Sequence, residues 1–434
     1  MAAPATGAPG SARPAVAPDA GRTRPGNRAG GGYARPRGAN KIRPPEVDLC
    51  IPGPLGAMAE RAVCEMVQAY ANSVAPLPED FDKRIEVHDN LADLVRNCFF
   101  ATEAPGQSFQ LHLFGSAATG LGQRTCDLDI CIDFYREAEV CKSLGVRPKE
   151  LEGKVVRKLA SKAQRFGFKL VETVAHAKVP IVMLVHQRSM LSCDVCVGNT
   201  LGVTNSSLLK EYSQFDPRLY PVVVAVKKWA SAKGVSGSKK GFLSSYSWAL
   251  LVVYFMQIRG ILPSLQKLAH PHDTPRDLEF LSASEAAREF KPVPENKSVG
   301  QLFFEFFCFY GFEFEWGEEV ASVRLGEKFL RDHPEFRREP LKNTQHNEIH
   351  IEDPFELHRN LNCVLHKGSA ARTLQALQDA AECIAQENIG GMFLYTCSYC
   401  KKGNLTSAEG AEDERFDQWY CNECWGDWRE TRRR

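Results

Sequence analysis

The densest chemistry in this 434-residue chain is a run of carboxylates. Phe114-Gly115-Ser116 is followed, after ten residues, by Asp127-Leu128-Asp129-Ile130-Cys131-Ile132-Asp133-Phe134, and Asp194 stands in a second short run, Ser192-Cys193-Asp194-Val195. Strand alternation puts Leu128, Ile130, Ile132 and Phe134 on a buried face and Asp127, Asp129 and Asp133 on the opposite one. Carboxylates at i and i+2 lie roughly 7 Å apart along a strand, with tips able to converge. At ~4 Å and an effective dielectric of ~20 their repulsion is about 4 kcal/mol, so the pair calls for a cation. Hard oxygen donors select Mg²⁺ or Mn²⁺, and two such ions ~3.5–4 Å apart can clamp the attacking and leaving oxygens of an in-line displacement at phosphorus. Gly115 lets the backbone approach a triphosphate, and Ser116 offers a hydroxyl beside free amides. Asp194, from a neighbouring strand, completes the set.

A second cluster has another purpose. Cys397-x2-Cys400, twenty residues, then Cys421-x2-Cys424 has the spacing of one structural Zn²⁺ site, in which four thiolates at ~2.3 Å leave no open position for catalysis. Trp419, Tyr420, Trp425 and Trp428 flank the second pair, while the acidic stretch Glu409 to Glu414 opposes a phosphate grip. The module therefore reads as a stabiliser or a surface for a protein partner. Cys193-x2-Cys196 is no counterpart, because those positions face opposite sides of a strand.

The elements that must position these groups are legible from periodicity. Helical spacing over Leu55 to Phe100 predicts two helices, with strands at 109–115 and 127–134, a helix at Lys154–Arg165, and a hairpin of Val179–His186 with Ser192–Val197. Beyond residue 200 the pattern is helical. Pro221 opens one helix, Ser244 or Ser245 caps an apolar one, Ser298 caps Val299–Tyr310 with Gly311 as its stop, and Arg372–Glu387 is the last. The Pro271–Pro294 region reads as a loop.

Composition narrows the class. With 44% hydrophobic and 25% charged residues the chain is globular, and no apolar run reaches the ~20 residues that cross a bilayer, so no membrane partner is expected. Residues 1–45 carry eight basic residues and one acid, a net +7, against −6 for the remainder. This Ala/Pro/Gly/Arg-rich arm reads as disordered, serving as an RNA-binding tail, a transit peptide or an inert solvated segment. Fifteen cysteines, an odd count without a secretory leader, fit a reducing intracellular compartment, cytoplasm or mitochondrion. The expected divisions are the arm (1–45), helices packing on the helical domain (46–105), a strand-rich catalytic domain (106–200), a helical domain (201–390), to which the resemblance given next assigns base recognition, and the zinc module with a basic tail (391–434).

Gly115-Ser116 with Asp127-Leu128-Asp129 resembles the signature of the polymerase-β-like nucleotidyltransferases. The segments Val179-Pro180-Ile181, Asp194, Gly202-Val203-Thr204-Asn205-Ser206, Lys227-Lys228-Trp229-Ala230, Leu243-Ser244-Ser245-Tyr246, Phe303 to Gly311 and Ile351-Glu352-Asp353-Pro354-Phe355-Glu356 narrow it to terminal uridylyltransferases and noncanonical poly(A) polymerases, over residues 55–385. The resemblance implies an α+β fold, a mixed-sheet nucleotidyltransferase palm packed on a largely helical poly(A)-polymerase-associated domain, with the zinc module at the C-terminal end. It implies template-independent addition of UMP from UTP to RNA 3′-hydroxyls, with Asp127, Asp129 and Asp194 holding two Mg²⁺ or Mn²⁺ and single-stranded RNA as partner. ATP-using poly(A) polymerase and an inactive RNA-binding scaffold are the alternatives. Asn205, beside Ser206, matches a ribose 2′-hydroxyl contact, Lys227 a triphosphate lysine, and Ser245 with Tyr246 a base-stacking pair. Where relatives often have a second lysine this chain has Ser231, for which Lys228 or Lys233 could substitute. Base choice falls on Asp353, Glu356 and Arg359, whose spacing suggests one helical face. The donor-only Arg359, where uridylyltransferases often have His, suits the accepting O4 of uracil and opposes the amino groups of cytosine and adenine; it could equally bind RNA phosphate or pair with Glu356.

Overall fold

The computed structural model describes residues 51–100, 108–293, 296–338, 348–362, 365–393, 397, 399–400, 409–413 and 418–431. The expected arm, residues 1–45, lies outside them.

Helices α1 (Ala57–Val74) and α2 (Pro78–Phe99) lead into strands β1 (Phe109–Phe114) and β2 (Leu128–Phe134). Helices α3 (Glu137–Leu144) and α4 (Pro148–Lys162) follow, then β3 (Phe168–Val174), β4 (Ile181–His186) and β5 (Ser192–Val197). The five strands form one mixed sheet in the order β1-β2-β5-β4-β3, with β2 and β5 parallel and the other pairs antiparallel. Leu128, Ile130, Ile132 and Phe134 are buried, as alternation requires, against Val155 and Leu159 of α4. The expected hairpin of β4 and β5 forms, with Met190 in the left-handed region at its turn. Strand β3 went unread because Lys169 and Glu172 interrupt its apolar pattern at an exposed edge.

The helical unit comprises α5 (Thr200–Phe215), α6 (Leu219–Ala232), α7 (Ser245–Ile258), α8 (Leu265–Ala269), α9 (Ala283–Glu289), α10 (Val299–Cys308), α11 (Pro334–Arg338) and α12 (Lys367–Ala385). Ser244 caps α7 by accepting from the Ser247 amide, and Ser298 shares a reciprocal capping box with Gln301 at the start of α10. Helix α7 is buried on every side, and Trp229 of α6 packs edge-on against Trp248 of α7 and Phe307 of α10. A small sheet of β6 (Glu319–Ala321), β7 (Phe329–Leu330) and β8 (His350–Ile351) borders this core. The C-terminal module contributes β9 (Gly410–Asp413), β10 (Gln418–Cys421) and α13 (Asn422–Thr431), and its Cys397, Tyr420 and Cys421 share a buried cluster with Ala232 of α6.

Two expectations need correction. Helix α1 joins the helical core through Val63 and Val67, but α2 places Val87, Leu91 and Leu94 in the core of the sheet unit, so the N-terminal helices divide between the two. Gly311 does not stop α10. The chain continues as a π turn over Phe309–Glu313, and Gly311 is where that turn meets α12: a Cβ there would stand 3.3 Å from the Gln378 side chain and 3.4 Å from its backbone nitrogen. The Gln378 amide donates to the Gly311 carbonyl at 2.9 Å, so the glycine serves close packing.

Candidate active site

Parallel pairing of β2 with β5 sets Asp129 directly beside Asp194, and Asp127 immediately precedes β2. The structure therefore brings the three aspartates to one end of two adjacent central strands. Gly115 ends the β1 turn with φ +66°, and a Cβ there would stand 1.9 Å from Asp129 Oδ2. The side chain absent at Gly115 is thus replaced by the Asp129 carboxylate, a tighter requirement than backbone access for phosphate.

The electrostatics match an acidic pocket awaiting cations. Burial, reinforced by the charges of Asp194 and Asp127, pushes Asp129 up to about 7. Burial and Asp127 raise Asp194 to about 6, with Lys239 opposing. Asp127 is raised by desolvation, with the Ser192 hydroxyl working the other way. Three oxygen donors repelling one another fit Mg²⁺ or Mn²⁺.

Other groups converge from α5, α6 and α7. The Gly115 amide donates to Ser206 Oγ at 2.8 Å, and the Ser206 hydroxyl donates to the Gly202 carbonyl, so its single proton is already committed to backbone. The Ser116 hydroxyl lies against Cys126. Lys227 faces the same β1–β2 loop, and burial, opposed by the Cys126 thiol, lowers it to about 8. Lys233 points elsewhere: its Nζ donates to the Gly391 carbonyl at 3.3 Å, which removes it as a substitute for the lysine missing at Ser231. Lys239 joins the site without an expectation from its sequence position. It is exposed on the turn Gly237-Ser238-Lys239-Lys240-Gly241 between α6 and α7, and its charge acts on Asp194. A basic pair bracketed by glycines was the available signal.

A second group of expected site residues is assembled around Tyr246. Its hydroxyl donates to Asn205 Oδ1 at 2.6 Å, while burial and the nearby Asp353 and Glu356 carboxylates raise the phenol well above its ordinary pKa, Arg359 opposing. Ser245 is exposed in the first turn of α7, after the capping Ser244. Asp353, Glu356 and Arg359 are together, yet not on a helical face. Pro354 and an Asx turn replace the helix: Asp353 Oδ1 accepts from the Phe355 and Glu356 amides at 3.1 Å, and a bridge between Glu352 and Asn360 closes the loop. Arg359 Nη1 donates to Glu356 Oε2 at 2.7 Å and stands 3.6 Å from Asp353 Oδ2, a buried oxygen with no hydrogen-bond partner among the described residues. Lys178, from the β3–β4 loop, reaches Glu356 across the cleft at 3.7 Å; nothing in its local sequence signals that contact. Beneath the loop Glu352 is held by buried Arg324, Nη2 to Oε1 2.6 Å, which also contacts Glu335 at 3.1 Å.

At the C-terminal end, the sulfurs of Cys397, Cys400, Cys421 and Cys424 all lie within 4.8 Å of one another. Burial raises the Cys397 thiol, but amides of Cys421, Cys400 and Tyr399 outweigh it and bring the group to about 6, whereas burial and the neighbouring sulfurs push Cys424 up to about 12. A thiolate crowded by three sulfurs is compatible with Zn²⁺.

A mixed sheet carrying paired aspartates beside a largely helical unit is a nucleotidyltransferase fold. Residues 64–214 match the central palm domain of mitochondrial-like poly(A) RNA polymerases, and residues 298–359 match the Cid1-family poly(A) polymerase domain. Human terminal uridylyltransferase 7 is 31% identical over 310 residues, 69% of this chain and 19% of that protein. Poly(A) RNA polymerase cid13 of Schizosaccharomyces pombe is 32% identical over 267 residues, 60% of this chain and 43% of that protein. The chain thus spans less than half the length of these curated relatives. A cytoplasmic RNA terminal U-transferase shares the fold, with TM-score 0.60 and 22% identity over 75% of this chain and 94% of that one. The Cid1 poly(U) polymerase in its MgGTP-bound structure does so at TM-score 0.59 and 22% identity, covering 74% of this chain and 94% of its own. The chain therefore carries a palm segment and a Cid1-family segment similar to those of terminal uridylyltransferases and poly(A) RNA polymerases.

Proposed function

We propose that the chain is a template-independent nucleotidyltransferase that adds UMP from UTP to the 3′-hydroxyl of single-stranded RNA. The RNA 3′ oxygen bonds to the α-phosphorus, the bond from that phosphorus to the bridging β-phosphate oxygen breaks, and pyrophosphate leaves. Asp127, Asp129 and Asp194 would hold two Mg²⁺ or Mn²⁺, which when bound supply positive charge at the attacking and leaving oxygens. Asp194 would also assist deprotonation of the 3′-hydroxyl. Lys227 neutralises the triphosphate, Tyr246 stacks on the base and Asn205 meets the ribose.

The observation that carries uracil is Arg359, a donor-only side chain beside Tyr246 and next to the unsatisfied Asp353 Oδ2. Uracil offers an acceptor, O4, to the guanidinium and a donor, N3–H, to the carboxylate. Adenine and cytosine would turn an amino donor toward Arg359. ATP use is the second reading, because an adenine amino group would also satisfy Asp353 Oδ2 and because the S. pombe relative is named a poly(A) RNA polymerase. Incorporation of each of the four triphosphates, supplied singly, onto a single-stranded RNA primer tests the choice. UTP should exceed ATP by about tenfold or more, and Arg359→Ala should narrow that ratio about tenfold; equal or faster ATP use would overturn the uridylyl reading. The cysteine module, with Tyr399 exposed, fits contact with a protein partner.

A further inference from the structure

We infer that the four-cysteine site anchors a turn of the nucleotide site: Zn²⁺ held by Cys397, Cys400, Cys421 and Cys424 fixes the end of α6, and through it the turn that carries Lys239. The inference rests on the transferase reading above, but not on which base is taken.

The module is packed onto α6. Ala232, in the last turn of that helix, is 2% exposed and shares one buried cluster with Cys397, Tyr420 and Cys421, against which Cys424 and Trp425 also pack. Three of the four sulfur-bearing residues thus belong to the wall that covers Ala232. A closed set of four thiolates leaves no position for chemistry, so what the metal contributes is the fixed arrangement of that wall. The approach to the module grips the same helix end. Lys233 Nζ donates to the carbonyl of Gly391, shortly before Cys397, and the Arg372 guanidinium of α12 donates to the Lys233 carbonyl at 3.1 Å.

Little slack separates Ala232 from Lys239. Gly234, at φ +62°, ends α6 with two bonds of 2.9 Å, from the Val235 amide to the Ala230 carbonyl and from its own amide to the Ser231 carbonyl. Val235 and Ser236 are buried. The Gly237 amide then donates to the Leu243 carbonyl at 2.9 Å, and the Phe242 amide donates back to the Gly237 carbonyl at 3.2 Å. Residues 237–243 therefore form a closed loop seated on the end of α6, with Lys239 inside it and the α7 cap, Ser244, directly after it. The charge of Lys239 acts on Asp194. A contiguous run of packed and hydrogen-bonded groups thus joins the cysteines to the cleft without any contact between metal and nucleotide.

Nucleotide addition to an RNA primer, with whichever of UTP and ATP the wild type uses better, should be measured for the full-length wild type, Cys421→Ser, Lys239→Ala and the double variant, with zinc content determined for each. The wild type should carry one Zn²⁺ and Cys421→Ser should lose it, raising the KM for nucleotide about threefold while kcat and the KM for RNA change less than about twofold. In the Lys239→Ala background the same loss should alter the nucleotide KM less than about 1.5-fold, because the group being positioned is gone. Hydrogen exchange at the Val235, Gly237 and Phe242 amides should quicken in Cys421→Ser, with β2 and β5 unchanged. Wild type stripped of zinc by a chelator and returned to Mg²⁺ should show the same changes, reversed by one equivalent of Zn²⁺, so the test does not depend on how the variant folds. A zinc-free wild type, faster exchange confined to the module, lost protection in β2 and β5 as well, or an equal rise in KM with and without Lys239 would overturn the inference. No nucleotide addition by the wild type would refute the transferase reading instead, and zinc content with hydrogen exchange would still decide whether the metal holds the turn.

Discussion

On the sheet side of the proposed site, the carboxylates are fixed by strand register, with Asp129 opposite Asp194 on two central strands and no side chain at Gly115 to crowd them. On the base side, Asp353, Glu356 and Arg359 ride on a loop with no regular structure, held by an Asx turn, an ion pair and the buried Arg324–Glu352 contact below. The sheet carries groups that repel one another and need cations. The loop carries groups that neutralise one another. Damage on the first side should therefore remove chemistry and spare the fold, whereas damage on the second should alter selectivity or, beneath the loop, stability.

The largest expected effect is on the sheet. Asp194→Ala should lower kcat about 10³-fold or more with the melting temperature held or raised, since a repelling charge is removed. A comparable loss in melting temperature would show that the aspartates support the fold. Under the base loop, Arg324→Ala leaves Glu352 and Glu335 buried without that partner and should cost about 3–5 kcal/mol in chemical denaturation. Less than about 1 kcal/mol would mean that the loop does not depend on this pair.

A pH experiment separates the two sides further. Asp129 and Asp194 are raised to about 7 and about 6, so the cation-free folded protein retains protons that the unfolded chain, with ordinary carboxyls, releases from about pH 4 upward. The folded state binds more protons in that window, and stability falls as pH rises through it. Mg²⁺ competes with those protons, so its stabilising shift in melting temperature should be greater at about pH 8 than at about pH 5.5, and Asp129→Asn should flatten the difference. A shift independent of pH would place the ion elsewhere. The smallest effect is expected for exposed Lys239: Lys239→Ala should raise the KM for nucleotide about threefold and weaken pyrophosphate inhibition in parallel, with Lys239→Arg restoring both. A change confined to the KM for RNA would assign it to the primer.

The same contrast explains what could be read from the sequence. The aspartate strand was legible because alternation is a local rule, and Leu128, Ile130 and Ile132 obey it. The cysteine quartet was legible because ligand spacing is local too. The base loop misled: Asp353, Glu356 and Arg359 have helical spacing, yet Pro354 and the Asp353 turn break the helix, and their convergence on Tyr246 depends on packing more than a hundred residues away in sequence. Gly311 misled in the same way, since its requirement comes from Gln378 of a distant helix. Lys239 and Lys178 acquire their roles only through tertiary placement, beside Asp194 and Glu356.

The central claim is that the aspartate site transfers UMP to RNA 3′ ends. The most direct test sequences the nucleotides added to a defined single-stranded RNA by the full-length protein in an equimolar mixture of the four triphosphates with Mg²⁺, alongside Asp129→Ala. The account predicts tails composed predominantly of uridine from the wild type and none from the variant. Adenosine tails would contradict the base assignment, and tails from Asp129→Ala would contradict the catalytic one.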